Sequence, residues 1–363
     1  MARKLKYVAA RPSRTRGFTL VEMLIAITLG MLLVIGVSYA YLGTKQTSRM
    51  QASLARMQEG ARFAFETMAL DIRMAGAAGC SIVPLPPAPT TVNSYGTAYW
   101  FSDLFNQPLT GYENATATAP TTPQNVRTSV STLSGHAASD ALAVVLAEGG
   151  GGIIMGGNRE YRVTAYTPNN FTVTPAPTAL TSGELVVATN CQTPLLSVAT
   201  VAGNVITTTG ATAAYGPGSS IFGVTGNLFY IGVNTAGEPT LYRQHLTQSG
   251  GAPATVAQEL VEGVEDMQIM YGVDTTPTAD HVIDTYLNAN DVAGAGVPGA
   301  TTAEKWQRVL SVKVNLLMRS TEDGIISAPQ DYHYPDPDSA ATTPADRRLR
   351  RAFTTTIAVR NRL

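Results

Sequence analysis

Hydrophobic positions fall along this chain in three regimes. In the first, Phe18 to Leu42, they are almost continuous: Met23 to Leu42 contains no charged residue. A helix of about 20 such residues covers the roughly 30 Å hydrocarbon layer of a bilayer. In the second, Thr44 to Ala75, there is no proline and apolar residues recur at helical spacing. Met50, Leu54, Met57, Ala61, Phe65, Met68 and Ile72 make a stripe, with Arg49, Arg56, Glu59, Arg62, Glu66 and Asp71 largely off it. One long helix is predicted from the membrane to about Gly76, its upper stripe laid on a sheet; the stripe is short for a coiled-coil seam. Gly30, Gly36, Gly43 and Gly60 each weaken this helix by about 1 kcal/mol relative to alanine, and local melting near Gly36 or Gly43 is expected on assembly. The glycines of Gly76-Ala77-Ala78-Gly79 end it.

The third regime has a period of two. Ala141–Ala147 is a short apolar run, Glu160–Tyr166 alternates, and Glu184–Thr189 leads into Cys191. Asn227–Val233 and Pro239–Arg243 flank Asn234-Thr235-Ala236-Gly237, a hairpin signal. Met267, Ile269, Tyr271 and Val273 share one strand face; so do Leu310, Val312, Val314, Leu316 and Met318, and then Phe353, Thr355, Ile357 and Val359. Each strand has one face to bury, most economically against the helix stripe. Between helix and strands, Pro84 to about Gly135 is rich in Pro, Thr, Ala and Asn and reads as a long connection with little core of its own. Its aromatics Tyr95, Tyr99, Trp100, Phe101 and Phe105 are expected to dock it onto the domain rather than form an exposed patch.

The predicted fold class is α+β: a long N-terminal helix, half membrane-spanning and half amphipathic, packed on an antiparallel β-sheet with long irregular insertions. The expected organisation is a basic leader over 1–17, a transmembrane helix over 18–42, its amphipathic continuation over 43–76 and a β-rich head over 77–363, within which 81–135 is the connection.

Charge sets the orientation. Arg3, Lys4, Lys6, Arg11, Arg14 and Arg16 precede the span without an acidic residue among them, which keeps the N-terminus cytoplasmic and places the rest outside the inner membrane. A secretory signal would have a shorter apolar core and a small-x-small cleavage site, for which Tyr39-Ala40-Tyr41-Leu42 is a poor candidate. Glu22 is the anomaly. A carboxylate within a span costs about 2.5–3.5 kcal/mol near the bilayer centre and less near its edge, and such a group usually marks a partner. Cleavage after Gly17 would make the new Phe18 amino group a cation suited to the Glu22 of a neighbouring subunit; the plainer alternative is a carboxylate snorkelling to the interface.

Arg16-Gly17-Phe18-Thr19-Leu20-Val21-Glu22 followed by an apolar helix resembles the class III signal of type IV prepilins and type II secretion pseudopilins. The resemblance implies cleavage between Gly17 and Phe18 by a prepilin peptidase, N-methylation of Phe18, and a role for Glu22 in subunit registration. The proline that many major pilins carry in the first half of this helix is absent here. Further blocks resemble PilW-type minor pilins: Leu70-Asp71-Ile72-Arg73-Met74-Ala75-Gly76 with Gly79-Cys80, Val261-Glu262-Gly263-Val264-Glu265-Asp266-Met267, Tyr271-Gly272-Val273-Asp274 and Leu349–Thr356 through Leu363, whereas 81–250 matches only loosely. That family implies a low-abundance subunit that primes or caps the filament tip with other minor and major pilins and the inner-membrane assembly machinery. It also implies support for twitching, adhesion or DNA uptake, a lipid bilayer as the environment before assembly, and the pilus or cell surface as the final location. A minor pseudopilin of a type II secretion system is the alternative.

Little else carries chemistry. The net charge of −1, with only 14% charged residues, gives no basic surface that demands nucleic acid. Cys80 and Cys191 fall where an oxidising compartment permits a disulfide, expected to be structural since a Cys-x-x-Cys spacing is missing. His136, His245, His281 and His333 have no ligand spacing, and Gly149–Gly152 lacks the Gly-Lys-Ser/Thr of a phosphate loop. No Gly-x-Ser-x-Gly elbow is present, so no enzyme and no cofactor is expected. Asp274, Asp280 and Asp284 are weak candidates for a hard cation in a loop that reads more simply as solvated. Arg347, Arg348, Arg350, Arg351, Arg360 and Arg362 are expected on a solvated edge strand, with phosphates or an acidic partner as the alternative.

Overall fold

The computed structural model describes residues 17–77, 90–92, 101, 104–105, 107–113, 139–148, 159–211 and 215–360. Helix α1 (Leu20–Met74) is followed by β1 (Thr90–Val92), β2 (Leu109–Tyr112), β3 (Ala141–Glu148), β4 (Glu160–Thr167), β5 (Asn170–Thr174), β6 (Leu185–Thr189), β7 (Leu195–Val198), β8 (Thr200–Ala202) and β9 (Val205–Thr207). Then come β10 (Ser220–Val233), β11 (Pro239–Ser249), β12 (Ala252–Glu262), β13 (Val264–Val273), β14 (Thr285–Leu287), the short helices α2 (Ala289–Val292) and α3 (Thr302–Gln307), β15 (Val309–Arg319), β16 (Tyr332–His333), β17 (Ala341–Thr342) and β18 (Arg350–Ala358). The chain divides into an N-terminal unit ending at Ala52 and a second unit, Ser53–Leu363.

α1 runs without interruption through Gly30, Gly36, Gly43 and Gly60. Within the second unit its stripe is Met57, Ala61, Ala64, Met68, Ile72 and Ala75, all buried, while Leu54 and Phe65 pack at the margin; Met50, in the N-terminal unit, is exposed. Gly60 sits where a Cβ would come within 2.9 Å of Val261, so the missing side chain lets β12 approach the helix. The helix stops at Gly76, which takes φ 74°, and the chain is then tied to β3: Gly76 N donates to Val145 O (3.0 Å) and Ala147 N to Ala77 O (2.7 Å).

Two sheets receive this stripe. The larger has twelve strands and is organised on β10, whose Ser220–Gly223 pairs with β6, Gly223–Phe229 with β3 and Asn227–Val233 with β11; all are antiparallel, whereas β1 joins β7 in parallel. The smaller has the order β14-β13-β15-β18 and is antiparallel throughout. Ser139 and Asp140 join the two: Ser139 Oγ donates to Asp266 Oδ1 (2.5 Å), Asp140 N donates to Met267 O (2.8 Å), and Asp140 Oδ2 accepts from Ile269 N (2.8 Å).

The expected hairpin is present as β10–β11, with Asn234 Oδ1 accepting from Ala236 N and Glu238 N across the turn. Three expectations need correction. The strands of the large sheet bury two faces, not one: in β3, Leu142, Val144 and Leu146 meet the core containing α1, while Ala141, Ala143, Val145 and Ala147 join a second core. That second core is closed by Phe101, Leu104, Phe105 and Tyr112: Phe101 and Phe105 dock onto the domain as expected, but the stretch read as a connection with little core of its own also supplies Leu104 and β2; Tyr95, Tyr99 and Trp100 lie outside the described residues. Finally, Leu310 leaves the face it was assigned. The pairings Gly272↔Ser311 and Val273↔Val309 leave Leu310 as the extra residue of a β-bulge, and Val309 takes its place in the core with Val312, Val314, Leu316 and Met318.

Candidate assembly site

At the start of α1, Gly17 and Phe18 are exposed and Thr19 is the N-cap residue. Thr19 and Glu22 form a reciprocal capping box: Glu22 N donates to Thr19 Oγ1 (3.2 Å), and Glu22 Oε2 accepts from Thr19 N (2.9 Å) and Thr19 Oγ1 (3.0 Å). Both functions need a short hydroxyl and a carboxylate three residues apart, a spacing present in the sequence but not read as a cap. Glu22 Oε1 is left without a hydrogen-bond partner among the described residues. A carboxylate accepts at about four sites, so the box leaves room for a further cation.

From Met23 to Thr44 the helix presents only apolar, tyrosine and small polar groups. Met23, Leu24, Ile25, Leu29, Leu32, Leu33 and Val37 are all exposed. Among the hydroxyls, Thr28 Oγ1 donates back to Ile25 O (2.9 Å) and Thr44 Oγ1 to Ala40 O (2.9 Å), so each is satisfied inside the helix. Met23–Leu42 would span about 30 Å at helical rise. The helix is long and apolar enough to cross a membrane. What this arrangement can do is associate: it offers a wide apolar surface and one carboxylate, four residues from the predicted new terminus.

The other predicted residues stand apart from it. Cys191 takes φ 67° in the turn after β6, and its predicted partner Cys80 lies outside the described residues, as do His136, Gly149–Gly152 and Arg362. Asp274, Asp280 and Asp284 do not converge. Asp274, 1% exposed, accepts from Thr276 N, Asp280 N and His281 N; Asp284 accepts from Thr275 N and Asp280 from Val282 N. Burial raises the Asp274 carboxyl, but these donors together hold it below its usual range. These oxygens fasten a loop. Among the described residues no group of three or more His, Cys, Asp or Glu is placed to hold a metal ion.

The basic closing segment is also corrected. Arg348 pairs with Glu238 (3.0 Å), and Arg350, 7% exposed, pairs with Glu265 (2.7 Å) and Asp346 (2.5 Å). Arg319 shares both glutamates, so these arginines join β11, β13, β15 and β18 internally. Arg351 and Arg360 remain exposed. His245 contacts Asn227 and His333 contacts Ser339 O, each through its Nδ1 at about 2.8 Å or less.

Asp71 is the residue sequence reasoning misplaced. It was put off the helical stripe, yet it is buried, with Oδ2 accepting from Asn227 Nδ2 (2.8 Å). Burial pushes its carboxyl up to about 6, with the Asn227 bond and the Arg243 charge opposing. Its position carried a signal: Ala64, Met68, Asp71 and Ala75 follow the same alternating spacing as the rest of the core line.

With this geometry established, comparison with known proteins is informative. Residues 12–38 match the family model described as the prokaryotic N-terminal methylation motif, covering the end of the basic leader, Gly17, Phe18, Glu22 and much of the apolar helix. Residues 228–361 match that of the type IV pilus-assembly protein W, covering the second half of β10 through β18. No curated protein and no solved structure matches. A methylation-type signal opening a long apolar helix, and a PilW-type sheet closing the chain, make this protein similar over these two segments to PilW-type, pilin-like proteins of the type IV pilus.

Proposed function

We propose that this minor pilin is cleaved between Gly17 and Phe18, methylated on Phe18, and inserted among the helices of other pilins, where it primes or caps the filament tip. Pilin-type families are structural, and nothing catalytic is assigned here. Before assembly the apolar helix sits in the inner membrane with its basic leader in the cytoplasm and the sheets outside. Prepilin peptidase, other minor and major pilins and the inner-membrane assembly machinery are its partners. Twitching, adhesion or DNA uptake would follow from the filament.

The observation that carries this reading is Glu22: a carboxylate with an unoccupied oxygen at the head of an exposed stretch of helix, Met23–Thr44, that carries no charge. In hydrocarbon such a group is tolerated when it meets a cation, and the amino group of a cleaved Phe18 in a neighbouring subunit supplies one. Glu22→Ala should leave membrane insertion and leader removal intact and reduce surface filaments. Wild-type filament numbers in that variant would sink the pairing. Recovery of the protein with secretion pseudopilins instead of pilins would move it to a type II secretion system.

A further inference from the structure

The smaller sheet ends in an open edge. β18 pairs with β15 on one side and, among the described residues, with no strand on the other. Val359 N donates to Leu310 O (2.9 Å) and Ser320 N to Leu349 O (2.8 Å), and the register between these two bonds is unbroken. In an antiparallel ladder this alternation commits the odd-numbered residues from Arg351 to Val359 to β15. It turns the backbone N–H and C=O of Ala352, Thr354, Thr356 and Ala358 outward. All four residues are exposed.

Open edges are ordinarily blunted by shortness, proline or a bulge. The other edges of these two sheets follow that rule: β1, β2, β8 and β14 have three or four residues each, and β12 contains Pro253 and a β-bulge at Leu260. β18 has nine residues, no proline and no bulge against β15. The residues that carry its outward groups are alanines and threonines, whose side chains are too small to shield them.

Charge selects the strand that fits. Arg351 and Arg360 flank the open run, are exposed, and have no ion pair among the described residues; Arg351 lies over its own Phe353 ring, 6.0 Å from the centroid. Residues 350–360 contain no acidic side chain, so a second copy would bring only cations to this edge. Phe353, partly buried against the core, leaves apolar surface for a neighbour.

We propose that β18 accepts an extended segment of a partner protein as an added strand of the smaller sheet, with carboxylates opposite Arg351 and Arg360 and a β-branched apolar residue opposite Phe353. The outward backbone groups supply the pairing, and the two arginines the choice of partner. Opposite charges, and aromatic with β-branched side chains, are favourable cross-strand pairs. This surface is separate from Glu22 and does not depend on leader cleavage.

The test titrates the full-length chain in detergent micelles with a fluorescent probe, Glu-Val-Thr-Val-Thr-Val-Thr-Val-Thr-Glu, its valines N-methylated so that only one edge can pair. Saturable binding is expected, lost when the threonines are N-methylated as well. It should weaken at least about tenfold when both glutamates of the probe are replaced by lysine, or when the protein carries Arg351→Glu with Arg360→Glu; the lysine probe should bind that double variant more tightly than it binds the parent. Thr356→Pro removes one outward N–H without touching a bond to β15 and should weaken binding too, with urea unfolding to show that the variant folds. No saturable binding, equal binding of the fully methylated probe, or affinities indifferent to the charge exchange would overturn the proposal. So would a dimer of the chain, seen by sedimentation and lost in Thr356→Pro, which would assign the edge to a second copy.

Discussion

Two carboxylates in one helix are handled in opposite ways. Glu22 is solvent-exposed and held by a cap through one of its oxygens; Asp71 is enclosed, held by one amide, and ionised only at some cost. The sign of the second effect follows from linkage. The Asp71 carboxyl is raised from 3.8 to about 6 in the fold, so the unfolded chain loses this proton first and stability falls as pH rises from about 4 to 6. A shift of that size corresponds to roughly 3 kcal/mol. Asp71→Asn keeps an acceptor for Asn227 and removes the titration. It should raise the denaturation midpoint at pH 7.5 while changing it little at pH 4, and equal effects at both would refute the assignment.

At the scale of elements, β2 is the piece whose importance was least visible. It pairs with β3 and places Gly111 so close to Tyr271 of β13 that a Cβ there would overlap the ring. Gly111→Ala should therefore destabilise the second unit by about 1–3 kcal/mol through overpacking, measured by urea unfolding. An unchanged midpoint would mean that β2 is not seated against β13. The arginines of β15 and β18 make a related point, since their ion pairs with Glu238 and Glu265 join four strand ends. Removing Arg350 would leave Glu265 and Asp346 short of a partner, a far larger loss than removing exposed Arg351.

For the molecule as a whole, the division of labour is between a helix that seeks apolar company and a sheet unit that has enclosed its own core. α1 leaves its apolar residues exposed before Leu42 and buries its stripe from Met57 onward. The proposed Cys80–Cys191 bond would tie the chain just after α1 to the turn after β6. In the chain-entropy model a loop of this length contributes about 4–5 kcal/mol. Cys80→Ser and Cys191→Ser should lower stability by similar amounts, and non-reducing peptide mapping of the parent should yield the linked pair; two free thiols would dismiss the bond.

The sequence by itself determined what depends on neighbours along the chain: the apolar span, the α1 stripe, the β10–β11 turn at Asn234 and the faces of β13 and β18, because helical and strand periodicities are local properties. Glu22 was legible for the same reason, a lone charge standing out against an apolar background. Only the tertiary structure decided which faces were covered twice, since the aromatics that cover β3 come from a stretch whose composition resembles a linker. It likewise decided that Asp71 is inside, that Arg348 and Arg350 are spent on internal glutamates, and that Leu310 yields its place to Val309. Burial and pairing of charges depend on residues far apart in sequence, and no periodicity records where those partners will stand.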